Sequence, residues 1–127
     1  MRNIRVDFIP HTAQRYETVG DWRETNDGET WKIDVSMMSD WRYNYLVAMH
    51  ELIEMALCKQ RGIKEQDVTQ FDLDFEAKRP DGNDDEPGGA QDAPYREEHL
   101  FAEAIERRLA AELGVDWDAY DREVTNL

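Results

Sequence analysis

Apolar residues alternate with polar ones in two stretches near the start of the chain. Every second residue is apolar from Ile4 to Phe8, and again from Trp31 to Met37. A period of two is typical of a strand with one buried face, so both stretches are predicted to be half-buried strands. The second stretch follows Asn26-Asp27-Gly28, a turn signal because these residues tolerate positive φ. Residues 18–24 should therefore form the other arm of a hairpin, which gives a sheet of about three strands.

A helical period replaces the alternation after the second strand. A cap at Ser39 or Asp40 and a stop at Gly62 bound a predicted helix with an unusually wide apolar stripe. A stripe of that width is typical of a central, mostly buried helix. A weaker helix is predicted over residues 65–77, and a short helical turn is predicted after residue 117.

One more helix is predicted to begin near residues 92–94 and to stop at Gly114. The residues expected to form its core stripe are Phe101, Ile105, Leu109 and Leu113. Residues 79–93 before it include an acidic stretch rich in Pro and Gly, so we expect a mobile loop there. Together the patterns predict one α+β domain over residues 1–127, with a small N-terminal sheet packed on two main helices.

Charge and composition narrow the classes of function. With 15 Lys and Arg against 29 Asp and Glu, the 127-residue chain has a formal net charge of −14. The negative electrostatic field of such a chain disfavours direct binding of nucleic acid or of an anionic membrane, so neither is an expected partner. The single cysteine excludes an internal disulfide framework and a cysteine-based zinc finger. The first residues lack the basic-then-apolar order of a signal peptide, and the sequence has no run of about 18 apolar residues. Both observations predict a cytoplasmic protein.

The strongest chemical signal is the segment His50-Glu51-Leu52-Ile53-Glu54 in the predicted central helix. His50 and Glu54 are four residues apart, so they lie on one helix face and can point at one ion. Burying an unpaired carboxylate is unfavourable, and a metal ion would satisfy both side chains. The alternative is an ordinary helix face with Glu54 paired to a nearby cation. The bare pattern does not separate the two interpretations.

A second helix carries the same spacing. His99 has Glu103 four residues later, and Glu106 lies near the same face one turn further on. Packed face to face, the two helices would bring His50, Glu54, His99 and Glu103 together as divalent-metal ligands. The third ligand could be His99, Glu103 or Glu106. Three protein ligands would leave a position for water and hydrolytic chemistry, whereas four would close a structural site.

The order of a strand, a His-Glu helix and a later helix resembles the zincins, metal hydrolases with an H-E-x-x-H helix. The resemblance implies zinc, with His50 as a ligand, Glu51 as the general base and Glu54 in place of the second histidine. It also implies a third ligand at His99 or at an acidic residue near it. A carboxylate in place of the second histidine makes the ligand set harder than that of a zincin.

Three segments also resemble a group of small uncharacterised phage and bacterial proteins. They are IPHTAQRYETVGDW, HELIEMALCKQRGI and APYREEHLFAEAIERRLAAELGVDW. This likeness covers most of the chain and implies no activity.

Two functions of different classes follow. One is a zinc-dependent hydrolase of zincin-like build, such as a peptidase, with an unknown substrate. The other is a non-catalytic acidic accessory protein that binds a basic partner or mimics nucleic acid, in which any metal is structural. His11 and Cys58 are interpreted as an ordinary loop residue and an ordinary core residue.

Overall fold

The protein has an α+β fold with a three-stranded sheet at its N-terminus. The computed structural model describes residues 1–127. The strands are β1 (Asn3–Ile9), β2 (Gly20–Glu24) and β3 (Thr30–Ser36), and their order in the sheet is β1-β3-β2. β2 and β3 are the antiparallel arms of the predicted hairpin, while β1 pairs with β3 in parallel. The sheet is therefore mixed, with β3 at its centre.

Four helices follow the sheet. They are α1 (Trp41–Gln60), α2 (Glu65–Ala77), α3 (Arg96–Glu112) and α4 (Trp117–Asn126), and short 3-10 turns lie at His11–Ala13 and Pro87–Gly89. The predicted start of α1 is confirmed, because the Asp40 side chain accepts a hydrogen bond from the backbone N–H of Arg42. The predicted bounds of α2 are also confirmed. None of these helices is both long and apolar enough to cross a membrane.

The core lies between the sheet and α1, and α1 also packs against α3. Ile33 and Val35 of β3 and Leu46 of α1 are fully buried there. Two aromatic rings, Trp22 of β2 and Trp31 of β3, stack with their centroids 5.7 Å apart. Because α1 contacts both the sheet and α3, side chains on α1 can meet side chains from either neighbour.

The prediction for the apolar face of β1 is wrong, and the prediction for the apolar stripe of α3 is confirmed only in part. Ile4, Val6 and Phe8 are 49%, 37% and 48% exposed, because β1 is an edge strand and α1 packs mainly against β2 and β3. In the expected stripe of α3, Phe101 is 53% exposed, whereas Leu109 and Leu113 pack against the core. The buried residues of α3 are instead Glu98, His99, Ala102, Glu106 and Ala110. The face that α3 buries is thus made of small and polar side chains.

Candidate metal centre

Three buried side chains from two helices meet at one point. His50 and Glu54 lie one turn apart on α1, and His99 lies in the first turn of α3. The Nε2 atom of His50 lies 3.2 Å from Oε2 of Glu54 and 3.2 Å from Nδ1 of His99, and the last two atoms are also 3.2 Å apart. This near-equilateral triangle of ligand atoms could hold a metal ion.

Behind each histidine, on the side of the ring away from the triangle, a carboxylate contacts the other ring nitrogen. Nδ1 of His50 lies 2.7 Å from Oε1 of Glu106, and Nε2 of His99 lies 2.8 Å from Oε2 of Glu86. An ionised carboxylate only accepts hydrogen bonds, so each of these ring nitrogens carries the proton and donates it. In the neutral ring, the opposite nitrogen then has a lone pair.

These contacts set the direction of both lone pairs. Those of His50 Nε2 and His99 Nδ1 face each other and the Glu54 carboxylate. Three acceptor atoms at such separations repel one another unless a proton or a cation lies among them. Metal-ligating histidines in proteins usually donate their other ring N–H to a carboxylate or carbonyl, as both histidines do here.

The remaining carboxylate oxygens of Glu54 and Glu106 also have partners. The indole Nε1–H of Trp22 donates to Oε1 of Glu54 at 3.0 Å, which leaves Oε2 to face the histidines. The Tyr120 hydroxyl donates to Oε2 of Glu106 and holds it against His50. The sheet, through Trp22, and α4, through Tyr120, therefore both orient the cluster.

In the metal-free protein these contacts shift the pKa values strongly. Burial alone would lower the pKa of His50, but the carboxylates of Glu106 and Glu54 outweigh it and raise that pKa well above its ordinary value. Burial likewise opposes the carboxylates of Glu54 and Glu86, which raise the pKa of His99 to about 9. Burial would raise the pKa of Glu54, yet its hydrogen bonds to both histidines lower it to about 2. The cluster therefore attracts positive charge.

Glu51 lines the same cleft without joining the triangle. No hydrogen-bond or ion-pair partner holds its carboxyl group. Burial and the negative charge of Glu54 raise the pKa of Glu51 well above its ordinary value. Gly20 on β2 leaves room for this side chain, because a Cβ there would lie 2.8 Å from Oε1 of Glu51. The predicted general base thus lies next to the cluster, and its carboxyl group has no bonding partner.

The structure does not bring Glu103 into the cluster. Its carboxylate is 3.8 Å from Arg107 on the outer part of α3. Glu106, which the sequence left as another possible ligand, contacts His50 from behind instead. His11 lies apart from the cluster and pairs with Ser36 and Glu17.

The contribution of the acidic loop to the cluster is not predictable from the sequence. Glu86 in the middle of this loop contacts His99, and the buried Gly88 packs against the same ring. A Cβ on Gly88 would lie only 2.4 Å from Cγ of His99. The Pro87-Gly88-Gly89 segment carried a signal of close backbone approach, but its partner was not identifiable from the chain.

The cluster lies in a cleft of about 920 Å³. The carboxylates that line this cleft far outnumber its arginines, Arg79 and Arg107. Deeper polar contacts are also present: the hydroxyls of Tyr16 and Tyr95 both donate to Asp72. Burial raises the pKa of Asp72 to about 6. A cleft of this charge concentrates cations, including metal ions.

Glu106→Gln should weaken divalent-metal binding by about 10–100-fold, the usual effect of removing a partner behind a ligating histidine. The amide can present its NH2 to His50 Nδ1 and no longer offers full negative charge, so the ring loses its fixed orientation. Competition with a chromophoric chelator measures the affinity. The matched control is Glu103→Gln on the same helix, which should leave the affinity unchanged. Equal effects of the two substitutions would contradict this assignment.

Comparison with protein-family models, with curated proteins and with solved structures found no match. The site is therefore interpreted from its own geometry.

Proposed function

We propose that this protein is a metal-dependent hydrolase of zincin-like build, in which His50, Glu54 and His99 hold a zinc ion and Glu51 is the general base. The observation that carries the proposal is the convergence of three acceptor atoms 3.2 Å apart, with a carboxylate behind each histidine. A structural ion pair would explain one histidine held by one carboxylate. It does not explain two imidazole nitrogens that both lie 3.2 Å from the same carboxylate oxygen and 3.2 Å from each other.

The donor atoms favour zinc among the common divalent ions. Two imidazole nitrogens and one carboxylate oxygen suit zinc and other first-row transition metals, whereas calcium and magnesium prefer oxygen ligands alone. Zinc lies about 2.0–2.1 Å from such ligands, so two ligands of a tetrahedral site are about 3.3 Å apart. The three separations of 3.2 Å between the atoms of His50, Glu54 and His99 are close to that value.

Three protein ligands suit a catalytic site better than a structural one. Glu103 points elsewhere, and Glu106 and Glu86 are used behind the histidines, so no fourth protein ligand completes the set. A zinc ion with three protein ligands binds water at its open position and lowers the pKa of that water to about 7. The open cleft beside the cluster leaves space for a substrate.

Glu51 has the properties of a proton acceptor. Its carboxyl group has no hydrogen-bond or ion-pair partner in the protein, so it is free to accept a proton. It follows His50 directly, so α1 places it beside the ligands and about 100° around the helix from His50. Glu54 is unsuited to this role, because the indole of Trp22 and both histidines already occupy its oxygens.

Glu51→Gln should bind zinc as tightly as the wild type and lose at least about 100-fold in hydrolytic rate, the usual contribution of a general base. The glutamine keeps the size of the side chain but cannot take a proton. The rate is measured with a mixture of fluorogenic peptides on zinc-loaded protein, and zinc binding is measured in parallel. Glu103→Gln is the control, since it removes a carboxylate from the same cleft.

Two results would contradict this assignment. If Glu51→Gln keeps the wild-type rate, Glu51 is not the base. If zinc-loaded wild-type protein cleaves none of the peptides, the peptidase form of the proposal is wrong, and the site is better explained as structural.

A further inference from the structure

The outer edge of β1 is an unpaired strand edge. β1 pairs only with β3, and no other strand or helix of the chain completes its opposite side. This edge is seven residues long, and its apolar side chains Ile4, Val6 and Phe8 are exposed, as are the polar side chains of Asn3 and Arg5. Natural proteins usually protect such an edge with charges, proline, a bulge or a covering element, because it readily pairs with another strand.

The hydrogen-bonding groups of this edge are known from the bonds that β1 makes to β3. Asn3 N–H donates to Glu29 C=O, and Ile9 C=O accepts from Met37 N–H, so the odd-numbered residues face β3. In a parallel ladder the alternate residues direct both backbone groups the other way. Ile4, Val6 and Phe8 therefore present their N–H and C=O groups to the open edge.

The opposite face of the sheet carries charges in ordered rows. The strand register aligns Arg5, Lys32 and Arg23 in one row across the three strands. The adjacent row is Asp7, Asp34 and Asp21. At the open edge of β1, a positive row and a negative row thus end side by side.

We propose that two copies of this chain associate through β1, in antiparallel register with Val6 opposite Val6, to form a continuous six-stranded sheet. A two-fold axis perpendicular to the sheet keeps the apolar faces of both copies on the same side. A parallel pairing about a two-fold axis would invert one sheet, so the apolar face of one copy and the charged face of the other copy would lie on the same side of the joined sheet. The antiparallel arrangement is thus the symmetric one that matches the faces.

Only this register also matches the charges. It places Arg5 of each copy opposite Asp7 of the other, in non-hydrogen-bonded pairs whose side chains lie close together. The nearest alternative registers that keep the faces aligned are shifted by two residues. One of them places Arg5 opposite Arg5, and the other places Asp7 opposite Asp7. Like charges directly opposite each other are destabilising.

The same register satisfies the backbone. Val6 of each copy exchanges both hydrogen bonds with Val6 of the other, and Ile4 does so with Phe8. Every outward N–H and C=O between Ile4 and Phe8 thereby gains a partner, and the apolar side chains pack across the two-fold axis. None of these residues belongs to the metal cluster, so the dimer does not depend on the proposed function.

The test is the mass of the full-length protein in solution, measured by sedimentation over a range of concentrations. The wild type should show twice the mass of one chain, and Val6→Pro should shift the protein to a monomer. The proline removes an N–H that points to the open edge, so the bonds between β1 and β3 remain. Far-ultraviolet circular dichroism checks that the variant is folded.

A charge exchange tests the register separately. Arg5→Asp sets like charges opposite each other and should raise the dissociation constant by at least about fivefold. Adding Asp7→Arg in the same chain restores opposite charges, and the double variant should regain the wild-type constant. A wild type that is monomeric at every concentration overturns the proposal. So does a dimer that Arg5→Asp leaves unchanged or that the double variant does not restore.

Discussion

His99→Ala protein should bind zinc at least about 100-fold more weakly than the wild type. The substitution removes one of the three converging ligand atoms and leaves Glu86 without its histidine partner. Loss of a partner behind a ligand already weakens metal binding by about 10–100-fold, so loss of the ligand itself should exceed that range. The affinity is measured by chelator competition on protein purified without a histidine tag, and bound zinc is counted by elemental analysis.

The matched control is His11→Ala. His11 also lines the cleft, but it pairs with Ser36 and Glu17 and lies apart from the cluster. This variant should bind zinc as the wild type does. Equal zinc affinity in the wild type and His99→Ala would remove the basis of the proposed function.

Thermal unfolding gives a second readout of the same substitution. A ligand that binds only the folded protein at about 100 times its dissociation constant adds about 2.7 kcal/mol to the free energy of unfolding. For a domain of this size, that should raise the Tm of the wild type by several degrees. At the same zinc concentration, a site about 100-fold weaker gains only about 0.4 kcal/mol, so the Tm of His99→Ala should rise by a small fraction of the wild-type shift, whereas His11→Ala should keep that shift.

Gly88→Ala should also disrupt zinc binding, although residue 88 carries no ligand atom. A Cβ at this position would lie 2.4 Å from Cγ and 2.5 Å from Nδ1 of His99. Such separations are far inside van der Waals contact, so either the Pro87–Gly89 turn or the imidazole must move. Since Nδ1 is the nitrogen that faces His50 and Glu54, displacement of the ring should weaken zinc binding by at least about tenfold.

Gly89→Ala provides the control for Gly88→Ala. It makes the same chemical change one residue later, where a Cβ would meet no atom within 4 Å. Zinc affinity is compared between the two variants at the same pH, with circular dichroism as a check of folding. If both alanines leave the affinity unchanged, the turn moves freely and does not position His99.

Much of the site could be predicted from the sequence because its two halves are local. The four-residue spacing of His50 and Glu54 places both on one face of α1 wherever that helix lies. The capping residue Asp40 and the stop at Gly62 were also readable, because helix ends have a local chemistry. His99 could be proposed as a ligand because it is on a helix with a similar face.

The choice between Glu103 and Glu106 could not be made from the sequence. Both lie near the face of α3 that carries His99, and the rotation of α3 against α1 decides which one reaches α1. The buried residues Ala102 and Ala110 show the orientation that was adopted, and it brings Glu106 behind His50. The exposure of Phe101 has the same cause.

The strands, the helices, and the pairing of a histidine and a glutamate on the central helix could all be predicted from local sequence patterns. These depend on periodicity and on contacts within a few residues. Three further features depend on tertiary packing: Glu86 and Gly88 contact His99, Tyr120 holds Glu106, and the apolar side chains of β1 stay exposed at an open strand edge. The physical reason is that each of these depends on how separate elements pack, and no local pattern specifies the rotation of one helix or the cover of one strand.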